Sequence, residues 1–299
     1  MFKSDFKYYK RKSPAPDLSL IVDFKNVSSE SDTDVLKIIA LNKDKENKFG
    51  LRPCHEWQVH HVPKRKGLLF IPNPFTRMGQ QYWIKRCVRD FTRKPNRINL
   101  DAHGDLREDE DWWDICSRLK GTERCRTLLH KLRWATLGYH HNWDTKEYSE
   151  DLQSPFPEDL AQLCQFVSKT IGLGDFTAEA AIVNFYHMDS TLSGHTDHSE
   201  PDKEAPLFSF SFGQSAIFLL GGQTLEEKPT AMLIRSGDIV VMTAESRLCY
   251  HGVPRILPAD ETPWTGNNDK DWEPFESYME SSRINMNVRQ VLPAGYKHL

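Results

Sequence analysis

The feature that most restricts this chain is a separation: His195 and Asp197 stand two residues apart, and His251 lies far downstream. In an extended strand, residues two apart share a face, so both side chains can reach one ion. Strand-like runs and turns fill the sequence between, and a fold that uses all three groups must bring His251 back beside the other two. Two imidazoles and one carboxylate are a donor set that grips one face of an octahedral Fe(II) and leaves the opposite face open. By itself His195-Thr196-Asp197 is a weak signal, because 12 histidines and 42 acidic residues allow such a triplet by chance, as a solvated turn.

Arg283-Ile284-Asn285-Met286-Asn287-Val288-Arg289 strengthens it. Polar and apolar residues alternate without a break, the period-two pattern of a strand with one apolar face. Two arginines and two asparagines then share the other face. A solvated edge strand would also explain the pattern. A guanidinium fork, however, grips a carboxylate through two parallel bonds, so a dicarboxylate such as 2-oxoglutarate beside a metal suits this face.

Composition narrows the alternatives. With 299 residues and 38% hydrophobic content the chain can bury one large core or two small ones. No apolar run approaches the roughly 18 residues of a membrane-spanning helix. Six cysteines, at 54, 87, 116, 125, 164 and 249, show no CxxC spacing and follow no signal peptide, which disfavours a disulfide framework or zinc knuckle and points to a reducing compartment. Residues 1–12 carry Lys3, Lys7, Lys10, Arg11 and Lys12 and read as a disordered basic tail. A short mitochondrial presequence is the lesser alternative, because Asp5 intrudes. Between residues 60 and 134 there are 17 Lys or Arg against 9 Asp or Glu, an excess of +8 (17 − 9) in a chain of net charge −3. One basic surface facing phosphates, with the acidic remainder for solubility, is the expected meaning; basic helix faces without a partner are the plainer one.

Organisation follows the same lines. Residues 1–56 read as a partly ordered extension with one short helix near 34–41. Residues 57–175 form a helical region, with helical spacing at Trp83, Cys87 and Phe91 and again at Trp112, Ile115, Cys116 and Leu119. Residues 176–293 form the core, where short strand-like runs such as 207–212 and 239–242 alternate with Gly and Ser-Gly-Asp turns. The expected class is α+β, a double-stranded β-helix (jelly roll) with N-terminal helices. Residues 257–282 read as an acidic, Trp-containing loop that interrupts it.

Asn184-Phe185-Tyr186, Leu192 to Asp197, Pro206 to Gly213, Glu245 to Gly252 and Arg283 to Arg289, in that order, resemble the motifs of the AlkB family, Fe(II)/2-oxoglutarate dioxygenases of nucleic acid. Upstream, Gly67 to Phe75, Leu132-Arg133-Trp134 and Gly138 to Asp144 resemble the subfamily of the first animal AlkB homologue, as does Gln214 to Gly222 within the core. The resemblance implies His195, Asp197 and His251 as Fe(II) ligands and Arg283 as partner of the distal carboxylate of 2-oxoglutarate. Asn184, Tyr186, Asn285 and Arg289 would surround the cosubstrate, with Leu192, Ser209 and Asn287 lining the same pocket. It also implies a nucleotide-recognition lid, conversion of 2-oxoglutarate to succinate and CO2, and hydroxylation of a methyl carbon, so that an N-methyl group leaves as formaldehyde.

On the base side the resemblance points to Tyr139, His141 and Trp143, although Tyr139 and Trp143 read equally well as packing aromatics. Ser199 stands where a bacterial-type AlkB repair enzyme has an acidic residue facing the base, which weakens the expectation of a cationic alkylated substrate. The implied partners are tRNA and single-stranded or locally unpaired DNA, with 1-methyladenosine, 5-methylcytosine and N6-methyladenine as candidate targets. A target base must leave its stack, at a cost of a few kcal/mol. A monomer is expected, in mitochondrion and nucleus by resemblance, with the cytoplasm as a further location. The rivals are a histone or other protein demethylase, disfavoured by the basic half; a binding module with a vestigial metal site, disfavoured by the complete donor set; and an iron-independent abasic-site lyase acting through a lysine.

Overall fold

The computed structural model describes residues 1–26, 34–36, 49–266 and 270–299, the side chains of 34–36 and of residue 103 excepted. The strands are β1 (Asp34–Leu36), β2 (Val59–His61), β3 (Leu68–Ile71), β4 (Arg97–Ile98), β5 (Trp134–Gly138), β6 (Ala180–His187), β7 (Leu192–His195), β8 (Leu207–Gly213), β9 (Ser215–Leu220), β10 (Thr230–Ile234), β11 (Ile239–Met242), β12 (His251–Leu257) and β13 (Ser282–Arg289). The helices are α1 (Phe2–Lys10), α2 (Arg77–Lys85), α3 (Trp112–Arg118), α4 (Glu123–Lys131), α5 (Glu158–Thr170) and α6 (Glu273–Met279). Nine strands form one sheet in the order β1-β2-β3-β11-β8-β13-β6-β5-β4, and β10-β9-β12-β7 form a second. The named strands pair antiparallel, and the two sheets enclose a cavity between them, the jelly-roll arrangement.

Alternation in β13 does the positioning. The strand lies between β8 and β6, so it is central rather than a solvated edge. Ile284, Met286 and Val288 are buried in the main core, against the layer of helices. Arg283, Asn285 and Asn287 take the other face, opposite Tyr186, Asn184 and Ile182 of β6 and opposite Gly213, Ser211 and Ser209 of β8. A slip of one residue would exchange the two faces, so burial of the apolar set fixes which residues point between the sheets.

The helices form where apolar spacing predicts. Trp83, Cys87 and Phe91 are buried along α2 and the π-helical turn after it, as are Trp112, Ile115 and Cys116 on α3. Thr76 caps α2, its hydroxyl accepting from the Gly79 amide at 3.1 Å, which satisfies a free N–H of the first turn. Among the described residues no helix is long and apolar enough to cross a membrane, and all six cysteines are free thiols.

Three expectations change. Residues 1–12 are no disordered tail: α1 packs on β12 and β7, and Phe2 is 1% exposed. The Phe2 ring lies over Gly194 and Gly221, where an added Cβ would come within 2.4 and 2.8 Å of it. Residues 34–36 form a strand paired with β2 rather than the start of a helix, and 37–41 lie outside the described residues. The span 257–282 is more than an acidic loop, because Trp264 and Trp272 are buried and α6 joins the core through Phe275 and Met279. Strands β2 to β5, from 57–175, lie in the same large sheet as β6, β8, β11 and β13 from 176–293.

Candidate active site

Antiparallel pairing returns His251 to the start of the site: it sits directly opposite His195 where β12 meets β7. Asp197 follows just beyond the end of β7. His195 Nε2 lies 3.8 Å from Asp197 Oδ1, His251 Nε2 lies 3.6 Å from Asp197 Oδ2, and the two rings are 4.4 Å apart. All three ligand atoms fall within 4.8 Å of one another. His195 Nδ1 is 2.9 Å from Ser193 O and His251 Nδ1 is 3.1 Å from Cys249 O. A carbonyl only accepts, so each Nδ1 carries the proton and each Nε2 presents a lone pair to the common point.

Charge prepares the same groups. Burial pushes the Asp197 carboxyl up, but Arg289, His251, His195 and Arg247 outweigh it and the net shift is downward. Burial and the neighbouring His195 hold His251 down to about 4. At neutral pH the carboxylate is therefore ionised and this imidazole neutral, the forms that bind a metal. Behind them lies a buried charge cluster. Arg289 Nη2 donates to Asp197 Oδ2 at 2.9 Å, and Arg247 donates to Asp197 O at 2.7 Å and to Glu200 Oε2 at 3.0 Å. The Tyr148 hydroxyl and Arg289 Nε reach the other Glu200 oxygen, at 2.9 and 3.2 Å. Glu200 is thus an acid already matched by two arginines.

Two cavities meet at this triad. The inner one, between the sheets, is narrow; His251 lines it together with the expected Tyr186, Leu192, Ser209, Arg283, Asn285 and Asn287. Arg283, 3% exposed, donates from Nη2 to Ser211 Oγ at 3.0 Å and lies over the Tyr186 ring at 5.0 Å. Its Nε and Nη1 are buried without a partner, and the Tyr186 hydroxyl beside it makes no hydrogen bond of normal geometry. A buried guanidinium with two idle donors suits a carboxylate. Asn184 shares the face of Tyr186 as the cross-strand partner of Asn285. Arg289 borders the outer cavity, where Asp197 and Glu200 hold it.

The outer cavity, ≈ 310 Å³, is lined by His195 and Asp197 and by the expected His141, Trp143 and Ser199. His141 Nε2 lies 3.0 Å from Ser199 Oγ, and Trp143, 48% exposed, packs edge-on to His141 at 4.8 Å. Tyr139 does not line it, because its hydroxyl donates to Glu150 at 3.0 Å and its ring packs with Ala180 and Val291. Tyr148, Lys146 and Tyr250 line this cavity and were not singled out from sequence. For Tyr250, adjacency to His251 was a usable signal; Tyr148 lies in the irregular segment before α5 and carried none.

Comparison with known proteins agrees with this geometry. Residues 67–289 match the family model of the 2OG-Fe(II) oxygenase superfamily. The chain is 40% identical to the human nucleic acid dioxygenase ALKBH1, covering 97% of this chain and 84% of the human one. It is 33% identical to the tRNA demethylase abh1 of Schizosaccharomyces pombe, over 98% and 96% of the two chains, and 32% identical to the DNA N(6)-methyladenine demethylase ALKBH1A of Arabidopsis thaliana, over 97% and 92%. The solved structure of OsALKBH1 shares the fold, with a TM-score of 0.54 at 20% identity over 78% of this chain and 99% of that one. With its paired-imidazole and carboxylate cluster beside a buried arginine, the chain belongs to the 2OG-Fe(II) oxygenase superfamily, in its AlkB branch.

Proposed function

We propose that this enzyme oxidises methyl groups on the bases of tRNA and of unpaired DNA, with His195, Asp197 and His251 holding Fe(II) and Arg283 holding the distal carboxylate of 2-oxoglutarate. The observation that carries the proposal is the meeting of the two cavities: His251 borders the inner one, and His195 and Asp197 border the outer one. Cosubstrate and methylated base can therefore approach one metal from separate sides.

Bound Fe(II) and 2-oxoglutarate supply the O2 activation and oxidising equivalents for hydroxylation of a methyl carbon. The chain supplies the rest. Ser193 O and Cys249 O keep the imidazoles aimed, and Arg289 keeps Asp197 ionised and fixed. The Arg283 fork and the polar face of β13 orient the dicarboxylate. His141, Trp143 and Tyr148 offer ring surfaces on which a base taken out of its stack can rest. The segment between β5 and α5 that carries them is the proposed nucleotide-recognition lid. Because Glu200 is matched by Arg247 and Arg289, Asp197 by Arg289, and Ser199 is neutral, the cavity has no unmatched carboxylate facing the base, which fits uncharged methylated bases better than cationic ones.

The names of the relatives support the substrate class: nucleic acid for the human protein, tRNA for the fission yeast one. A monomer is the expectation carried over from the family resemblance, to be checked by sedimentation. Methylated tRNA and single-stranded DNA are incubated with Fe(II) and 2-oxoglutarate and the nucleosides analysed by mass spectrometry. Loss of a methyl mark coupled to succinate supports the proposal, and succinate without any base change refutes it.

A further inference from the structure

On the helix side of the large sheet, away from the triad, a further cavity of ≈ 290 Å³ lies between α3, α4 and α6 and the paired ends of β6 and β13. That volume is at the lower end of small-molecule sites. Cys116, Cys125 and Leu129 give it an apolar lining, with Trp113 and Tyr278 as aromatic walls. Two polar atoms at its edge, His187 Nε2 and the Tyr278 hydroxyl, are shielded from water and make no hydrogen bond of normal geometry, although the His130 backbone lies beside His187 and Ser282 beside Tyr278. Leaving such a group unpaired is costly, so each calls for a partner. Burial and the nearby Arg133 and His130 lower the pKa of His187, so its ring is neutral and able to donate or accept.

The mouth is cationic: Lys120 and Arg126 line it beside His130, and no Asp or Glu does. Here the basic excess of residues 60–134 persists. Elsewhere Arg86, Arg89, Arg93, Arg107, Arg124 and Lys131 are paired with carboxylates. Arg65, Arg77, Lys94 and Arg126 donate to backbone carbonyls, and among the described residues Arg97, Arg118, Lys120, Arg126 and Arg133 have no carboxylate partner. A cationic mouth over an aromatic-walled cavity with unspent hydrogen-bonding atoms is matched by a phosphate joined to a planar heterocycle.

We propose that this cavity binds a nucleotide, its phosphate at Lys120 and Arg126 and its base against the edge-on pair of Trp113 and Tyr278, whose rings are 6.0 Å apart, with hydrogen bonds to His187 and Tyr278. It would be a nucleic-acid contact remote from the reacting base, and in that role it rests on the function proposed above. The nucleotide can come from two sources, a free mononucleotide or an unpaired position of RNA.

The test uses the full chain with Mn(II) and 2-oxoglutarate for binding, and with Fe(II) for turnover of a methylated trinucleotide too short to span both cavities. Ser277→Trp, at an exposed position of the mouth, plugs the cavity; Lys120→Glu with Arg126→Glu removes the charge; Lys120→Arg is the conservative control. Adenosine monophosphate binding by calorimetry, or tRNA affinity, is expected to fall at least about tenfold in the first two and to hold in the control, with trinucleotide turnover unchanged. Binding of the mononucleotide identifies a free ligand, whereas a loss confined to tRNA identifies a nucleotide within RNA. Wild-type affinity for both ligands in Ser277→Trp, or no binding of either to the wild type, overturns the proposal. A wild type that binds the mononucleotide yet turns over no trinucleotide would instead count against the proposed function.

Discussion

Replacing Arg283 by methionine separates what this residue costs from what it does. Its guanidinium is 3% exposed and has one hydrogen bond, to Ser211, while Nε and Nη1 have none. Without cosubstrate this is a buried, uncompensated charge, and burying one costs several kcal/mol. Methionine fills much of the same volume without charge, so the cosubstrate-free enzyme should gain about 1–3 kcal/mol, or a rise in Tm of roughly 2–4 °C per kcal/mol. With cosubstrate the sign reverses. Two charge-assisted hydrogen bonds at about 1.5–3 kcal/mol each are lost, so the Kd for 2-oxoglutarate should rise at least about 100-fold. In the wild type, 2-oxoglutarate at 100 times its Kd should add about 2.7 kcal/mol; the variant at the same concentration should show almost no shift. The assay is thermal unfolding with Mn(II), with and without 2-oxoglutarate, beside calorimetric titration. A variant that melts lower than wild type without cosubstrate, or that keeps the full 2-oxoglutarate shift, would refute the reasoning.

Three other consequences are as direct. Gly194→Ala places a Cβ 2.4 Å from the Phe2 ring and should cost about 1–3 kcal/mol by overpacking; Phe2→Ala should relieve it, so urea unfolding should show a coupling above about 1 kcal/mol, and additive losses would separate α1 from β7. His140 is buried and held down to about 4, so the unfolded chain takes up a proton near 6.5 that the folded one refuses until about 4. Stability should therefore fall by up to about 3 kcal/mol as pH drops through that window, and His140→Gln should flatten the decline in denaturation at pH 7 and pH 4.5; an unchanged slope would put the acid sensitivity elsewhere. Trp143→Ala should leave stability within about 0.5 kcal/mol while weakening binding of a methylated oligonucleotide by roughly 5- to 150-fold; unchanged binding would take Trp143 off the path of the base.

Local patterns made much of the site readable. The unbroken alternation from Arg283 to Arg289 placed four polar groups on one face because strand periodicity needs no partner to be recognised, and the structure supplies β6 and β8 on either side. The distance from Asp197 to His251 is bridged by a pairing that sequence alone does not specify, and resemblance supplied it. What was missed depended on contacts remote in sequence. Phe2, Phe6 and Tyr9 have the spacing of a helix face, but neighbouring lysines mask it until two remote glycines, Gly194 and Gly221, provide a seat. The basic count of residues 60–134 overstated the free charge, because Arg86 is spent on Asp159 as well as Asp90. A surface on Lys85, Arg86 and Arg89 is correspondingly weaker as a phosphate track than the α3–α4 cluster. Tyr139 and Tyr148 are indistinguishable as sequence, and only the path of the chain turns one toward Glu150 and the other toward Glu200.

The most direct test of the central claim is a nucleoside mass-spectrometric profile of tRNA and methylated single-stranded DNA after incubation with the enzyme, Fe(II) and 2-oxoglutarate, beside His195→Ala and Asp197→Ala. The account predicts loss of a methylated nucleoside in step with succinate for the wild type and neither for the variants, which should remain folded by circular dichroism. Full turnover in either variant, or loss of the methylated base without 2-oxoglutarate, would contradict it.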